Sequence, residues 1–349
     1  MAQMPGSMQA AVLVELGKPL ALARVELPRS LAPGQVLVKV HYSGICGSQL
    51  GEIDGAKGED AWLPHLLGHE GSGSVLEAGP GVRLVQAGDR VVLHWRKGPG
   101  IESETPRYGW DGRTVNAGRV TTFNEYAIVS ENRLTRIPAD TDLEVATLLG
   151  CAVTTGFGVV QNNARLRIGE SVVVYGAGGV GLSIVHAAAM VSAFPVVAVD
   201  LYDARLEMAR TMGATHLVNA RRDDPRSAIR AALGGGADVF IDNTGNPGVI
   251  EMGYELSNTR GRVILVGVPR KGSDISIHSL ALHFGKSLSG SHGGEAEPAQ
   301  DIPRYLALFR SGRLRLRELL TEQVSLEEIN GAIRRMRDGT LAGRCLIRM

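Results

Sequence analysis

Gly176-Ala177-Gly178-Gly179-Val180-Gly181 have the types and the spacing to hold a diphosphate. In a G-x-G-x-x-G run the first glycine allows a tight turn. The second lets the backbone approach the phosphates, and the third lets a helix pack close on a strand. A helix starting at this turn presents unpaired N–H groups and the positive end of its dipole to the anion. Asp200 follows about 20 residues later, where a carboxylate can accept ribose hydroxyls and repel a 2′-phosphate. No basic residue comes between Asp200 and Arg205. The pattern predicts a dinucleotide site that prefers NAD to NADP.

The elements that must position these residues are legible around them. SVVVYG before the loop reads as a buried strand, LSIVHAAAM after it as a helix, and FPVVAVD, ending in Asp200, as the next strand. Alternation continues through DARLEMARTMGA, THLVN, SAIRAALGG, ADVFIDNTG, PGVIEMGYELS and GRVILVGVP. Strand and helix in turn mean a parallel, doubly wound sheet. The apolar strand VILVGVP offers an edge on which a second copy could pair. Residues 8–45 instead alternate short apolar runs with turns and read as antiparallel β-structure. GEIDGAKGED reads as a polar loop, residues 96–118 as a surface excursion, and TDLEVATLLGCAVTTGFGVVQ as a helix leading to the second domain. DIPRYLALFRSG and SLEEINGAIRRMRDG read as helices, and the closing GRCLIRM as a strand returning to the first domain. The expected division is 1–152 with 292–349, and 153–291.

Composition narrows the function classes. A chain of 349 residues has room for about two domains. Its formal charge of +1 points to neither nucleic acid nor an anionic membrane surface. No apolar run approaches the ~20 residues of a membrane span, and the first residues lack the pattern of a secretory signal. Three cysteines, Cys46, Cys151 and Cys345, are too few for a disulfide framework and fit a reducing cytoplasm. Their spacing proves no metal site, because Cys46, His69 and Cys151 come from separate segments.

Seven motifs in order then carry a family resemblance: G-I-C-G-S at 44–48, G-H-E at 68–70, G-D-R-V at 88–91, L-L-G-C-A-V-T-T-G at 148–156, G-A-G-G-V-G at 176–181, V-G-V-P at 266–269 and G-R-C-L-I at 343–347. Over nearly its whole length the chain resembles the zinc-containing medium-chain dehydrogenase/reductase superfamily, alcohol dehydrogenase type. The resemblance implies an α/β fold: a GroES-like β catalytic domain plus a Rossmann domain. It implies a catalytic zinc on Cys46, His69 and Cys151 with Glu70 beside it, and Ser48 bonding the substrate hydroxyl. Thr155, Val180, Val266 and Val268 would lie along the nicotinamide, Arg344 on the pyrophosphate, and Trp95 along the substrate pocket. Two thiolates and an imidazole leave a fourth tetrahedral position open, as a catalytic zinc requires. That zinc would acidify an alcohol or polarise a carbonyl while hydride moves to or from NAD. The implied substrate is a small alcohol or carbonyl compound, and the implied assembly a homodimer or homotetramer.

The departures are specific. The excursion at 96–118 lacks the four cysteines of a structural zinc, so one zinc per chain is expected. Gly47 stands where some members have a basic pyrophosphate contact, and Gln49 where the usual Asp supports the zinc histidine. Gln49 could still accept that bond through its amide oxygen. Gly51 occupies the place of a proton-relaying histidine, with Glu52 next to it. A polyol, sugar or cyclitol dehydrogenase is the alternative enzyme; such relatives often use a carboxylate as third ligand, against which Cys151 weighs. A non-catalytic dinucleotide-binding protein is the further alternative.

Overall fold

A computed structural model describes residues 4–349 and resolves two compact units. The first comprises the chain up to Cys151 together with Glu297–Met349, and the second is Ala152–Ala296.

The first unit is built on antiparallel strands. Gln35–Gly44 is its central strand, pairing with Glu70–Ala78, Tyr126–Ser130 and Arg344–Arg348. Most of its residues are buried, as a strand covered on both faces requires. Val36, Val38 and Val40 pack with Val75, Val91, Leu93 and Val129. Leu37, on the other face, joins Met8, Val12, Val25, Leu66, Tyr108 and Ile128. A third cluster gathers Ile45, Ile53 and Phe123 with Ile329, Ile333 and Ile347, so the C-terminal segment is integral to this core.

Two segments expected to be polar surface contribute to that core. Residues within the excursion form a hairpin, Tyr108–Trp110 against Arg113–Val115, and Tyr108 and Val115 are buried. Its turn is Asp111-Gly112, both at positive φ, the pair that suits a two-residue hairpin. The first residues of the supposed loop at 51–60 instead close a helix, Gly47–Ile53. Gln49 and Ile53, four apart and therefore on one face, are its buried residues.

The second unit is a six-stranded parallel sheet. Its order is His216–Asn219, Val196–Asp200, Val172–Tyr175, Ala237–Asp242, Ser257–Leu265 and Ser287–Gly290. Numbered along the chain this is 3-2-1-4-5-6, the doubly wound order of a dinucleotide-binding fold. The strand containing VIL, expected to offer a pairing edge, lies inside the sheet. Ser287–Gly290, a short run with little apolar content, covers it and forms the edge.

Gly176 has φ +98°, and a Cβ on Gly181 would lie 1.9 Å from the Gly176 carbonyl oxygen. The loop therefore needs glycine at both ends. The expected single helix across residues 141–161 is broken at Cys151, whose φ of −150° is not helical. It resumes as Ala152–Gly158 and ends in a π-helical turn, Val159–Asn163.

Candidate metal centre and dinucleotide loop

Three breaks in regular structure create the metal centre. Cys46 caps the helix Gly47–Ile53 from an extended conformation. His69 follows Gly68, whose φ of +92° and contact with Thr122 exclude a side chain. Cys151 occupies the helix break. One thiol sulfur from each cysteine and a ring nitrogen of His69 lie within 4.8 Å of one another. Both cysteines are buried and His69 is partly exposed. The Cys46 thiol titrates well below the ordinary range, chiefly because Cys151 hydrogen-bonds to it; burial opposes this, and His69 and Arg344 add to the lowering. Two sulfurs and one imidazole in this space match the three-ligand donor set of a catalytic zinc.

The groups behind the ligands are also defined. Gln49 is fully buried, and its Oε1 accepts the Cys46 N–H at 3.0 Å. The amide oxygen expected to support the histidine is thus engaged by the Cys46 backbone, while Nε2 has no partner among the described residues. Glu70 is fully buried and accepts a hydrogen bond from Arg344 Nη2, itself shielded from solvent. Among the described residues Glu70 Oε1 and Arg344 Nε lack partners. Arg344, expected on a pyrophosphate, therefore has part of its guanidinium committed to a carboxylate. Ser43 Oγ bonds the Glu70 carbonyl oxygen at 3.2 Å and Thr122 Oγ1 at 2.7 Å, which fixes the backbone beside His69.

Ser48 is half-buried on the helix that Cys46 caps. Glu52 lies one turn on, and its Oε1 accepts from Lys57 Nζ at 3.1 Å. Trp95 is half-buried, with the Arg96 guanidinium 5.8 Å from its ring centroid. Its carbonyl accepts from Arg133 Nη1 at 2.6 Å. Beside it, His94 is enclosed between the Arg96 carbonyl at 2.7 Å and Thr135 Oγ1 at 2.9 Å. Burial is the main cause that brings the His94 pKa down to about 4.

In the second unit the glycine-rich loop fits a dinucleotide. A Cβ on Gly178 would meet nothing within 4 Å, so the backbone is open on that side. Gly178 also precedes the helix Gly179–Met190 without any side-chain cap, which leaves first-turn N–H groups available. Val180 is half-buried in that turn. Asp200 Oδ2 accepts the Ala177 N–H at 2.7 Å. Its Oδ1 accepts the N–H groups of Leu201 and Tyr202 at 2.7 and 3.1 Å. A carboxylate offers about four acceptor positions, so roughly one remains for a ribose hydroxyl. Thr155 is buried, and its hydroxyl has no partner among the described residues. Val266 is half-buried, whereas Val268 is 60 % exposed.

A doubly wound unit with an open diphosphate loop, and a β unit holding a buried Cys–His–Cys set, define a zinc- and dinucleotide-using oxidoreductase. Comparison with known proteins gives the family. Residues 32–139 match the alcohol dehydrogenase GroES-like domain, and residues 179–311 the zinc-binding dehydrogenase domain. S-(hydroxymethyl)glutathione dehydrogenase of Synechocystis sp. is 32 % identical over 362 aligned positions, covering 95 % of this chain and 97 % of that one. Among solved structures, an alcohol dehydrogenase zinc-binding domain protein from Burkholderia ambifaria superposes with a TM-score of 0.89 at 30 % identity. Benzyl alcohol dehydrogenase from Acinetobacter calcoaceticus superposes with 0.88 at 29 %. Each alignment covers 98 % of this chain and 99 % of the other. The chain belongs to the zinc-containing alcohol dehydrogenases of the medium-chain dehydrogenase/reductase superfamily. Zinc and NAD are the cofactors of that family, and its substrates are small molecules. Among the described residues no single helix is long and apolar enough to cross a membrane.

Proposed function

We propose that this chain is an NAD-dependent zinc alcohol dehydrogenase whose preferred substrate is a primary alcohol on a bulky group, or the matching aldehyde. The observation that carries the reading is the Cys46–His69–Cys151 cluster. A zinc ion held there would serve as a Lewis acid toward a hydroxyl or carbonyl oxygen. Ser48 would hydrogen-bond that oxygen and pass on its proton. The open loop at Gly178 and the first turn at Val180 would take the pyrophosphate, and Asp200 one ribose hydroxyl. The unpaired Thr155 hydroxyl, with Val266 and Val268, would orient the nicotinamide. Glu70, supported by Arg344, would set the electrostatics behind the ligands. Trp95 would wall the pocket with an aromatic face. Two compared proteins are named for S-(hydroxymethyl)glutathione and benzyl alcohol, each a CH2–OH group on a larger body.

The test is NADH formation by zinc-loaded protein on benzyl alcohol, S-(hydroxymethyl)glutathione, secondary alcohols and polyols. Higher kcat/KM on the two primary alcohols is expected. Preference for polyols would favour the alternative dehydrogenase class. NADH binding without turnover on any of them would mark a non-catalytic dinucleotide protein.

We further infer a homodimer or homotetramer. Among the described residues the edge strand Ser287–Gly290 has no neighbour beyond it, and Leu280 and Phe284 in the preceding turn are 54 % and 62 % exposed. Free strand edges and exposed apolar side chains favour pairing with a second copy. A monomeric mass by light scattering at micromolar concentration would refute this. A site that uses two cysteine ligands also suits the reducing cytoplasm.

A further inference from the structure

Trp95 is the first residue past the strand Arg90–His94. His94 pairs with Glu70, the first residue of its own strand, so the chain leaves the sheet beside His69. Gly150, which precedes Cys151, approaches the same strand so closely that a Cβ on it would lie 2.5 Å from the Leu93 carbonyl oxygen. The segment carrying Trp95 thus emerges next to two of the three ligand segments. Past the end of the ladder its backbone depends on other partners. Arg133 is one, with Nη1 donating to the Trp95 carbonyl oxygen at 2.6 Å.

Arg133 has a fixed mount. It ends the turn Glu131–Arg133, directly before the strand that pairs with Arg90–His94. The Glu131 carboxylate anchors that turn by accepting the N–H groups of Arg83, Leu84 and Ile101, at 2.5, 2.7 and 2.9 Å. The Arg133 side chain is buried, and its Nη2 donates to Glu102 Oε1 at 2.9 Å. A planar guanidinium held by a carboxylate at one nitrogen presents the other in a set direction. Glu102 also pairs with Lys97, at 3.1 Å, and with Arg119. Removing Arg133 therefore strands no carboxylate.

We propose that Arg133, held by Glu102, is a positioning residue for the substrate: through the Trp95 carbonyl it sets the place of the aromatic wall and so the preference for alcohols on a bulky group. The inference rests on the dehydrogenase reading, in which Trp95 walls the pocket. A small alcohol needs only the metal end of the site and is indifferent to the wall. An aryl alcohol must lie against it. Misplacing a positioning group by about 1 Å can cost as much as about 10²-fold. A smaller loss is expected here, because Arg133 acts on the wall and not on the reacting atoms.

The experiment measures kcat and KM of the full-length, zinc-loaded protein for benzyl alcohol and for ethanol at saturating NAD. Calorimetry of benzamide binding in the presence of NADH supplies a readout without turnover. Arg133→Met should raise KM for benzyl alcohol and Kd for benzamide about tenfold, within the range for a misplaced positioning group, with kcat changed less. Ethanol kinetics should move less than about threefold on the same scale. Arg133→Lys keeps a donor and should recover part of the loss. Glu102→Gln leaves the guanidinium present but loosened, and should give the same split in weaker form. In a Trp95→Ala background, Arg133→Met should add little, since coupled residues are not additive. Equal losses on both alcohols, no loss on either, or losses that multiply in the double variant would overturn the proposal and leave the dehydrogenase reading standing. A wild type that forms NADH from neither alcohol and binds no NADH would overturn both.

Discussion

Glu70 and Arg344 are 274 residues apart in the chain and form a hydrogen-bonded ion pair withdrawn from solvent. Glu70 adjoins the ligand His69, so the pair ties the metal segment to the C-terminal strand. Removing one member of a buried pair leaves an uncompensated charge, at a cost of about 3–5 kcal/mol. Arg344→Met should therefore reduce unfolding stability by about that amount, measured in denaturant. Glu70→Gln combined with Arg344→Met should recover part of the loss, since neither charge is then stranded. A single-variant loss under about 1 kcal/mol would contradict the isolation of this pair.

Metal content separates the ligand set from the rest of the site. One zinc per chain is expected, because the described residues contain one Cys/His cluster of this kind. Cys46→Ala, His69→Ala and Cys151→Ala should each lower the zinc content and abolish turnover. NADH should still bind, since its loop belongs to the other unit. Two zinc ions per chain by elemental analysis would sink the one-site assignment.

His94 makes stability depend on pH. Its pKa is about 4 in the folded chain and about 6.5 when exposed. Between these values the unfolded chain takes up a proton that the folded chain refuses. Stability is therefore fully present above about pH 6.5 and declines as pH falls toward 4. The full decline is about 3 kcal/mol for a shift of this size. His94→Gln should flatten the melting temperature between pH 4 and 6.5 relative to wild type. Equal slopes for the two proteins would count against the buried neutral imidazole.

Local patterns made the second unit readable, because its working parts are close in sequence. The glycine loop, the strand before it and Asp200 occupy one strand–helix–strand unit. The parallel, doubly wound character of that sheet follows from the alternation, whereas its strand order and its edge do not. Ser287–Gly290 contains one leucine among serines and glycine, too weak a signal for a strand. The metal set was out of reach of spacing because it is assembled from distant segments, and family resemblance supplied it. The Glu70–Arg344 pair is likewise invisible to any local window. Gln49 shows a further limit. Its residue type permits a bond to histidine, but the turn of helix behind Cys46 brings its oxygen to the Cys46 N–H. The hairpin at 108–115 was legible in principle, with Asp-Gly between aromatic and β-branched residues, but the polar composition around it masked the signal.

The proton path is where the chain departs from its family with a testable consequence. Gly51 cannot relay a proton, and Glu52 is the nearest carboxylate in sequence to Ser48. The structure pairs Glu52 with Lys57 at 3.1 Å, with about a third of the Glu52 side chain exposed. The ion pair turns this carboxylate toward its cation, which leaves it poorly placed to exchange a proton with Ser48. Ser48 remains, half-buried on the helix capped by the ligand Cys46. Ser48 would hand its proton on toward water with no further side chain required. Ser48→Ala should lower kcat/KM by about 10²-fold or more, within the usual range for a proton-transfer group. Glu52→Gln should change it by less than about threefold, small against that range. Ser48→Thr keeps the hydroxyl and should retain most of the activity, which separates the chemistry from simple loss of packing. A large loss in Glu52→Gln, with one ionisation gone from the pH–rate profile, would make Glu52 the relay and overturn the water route.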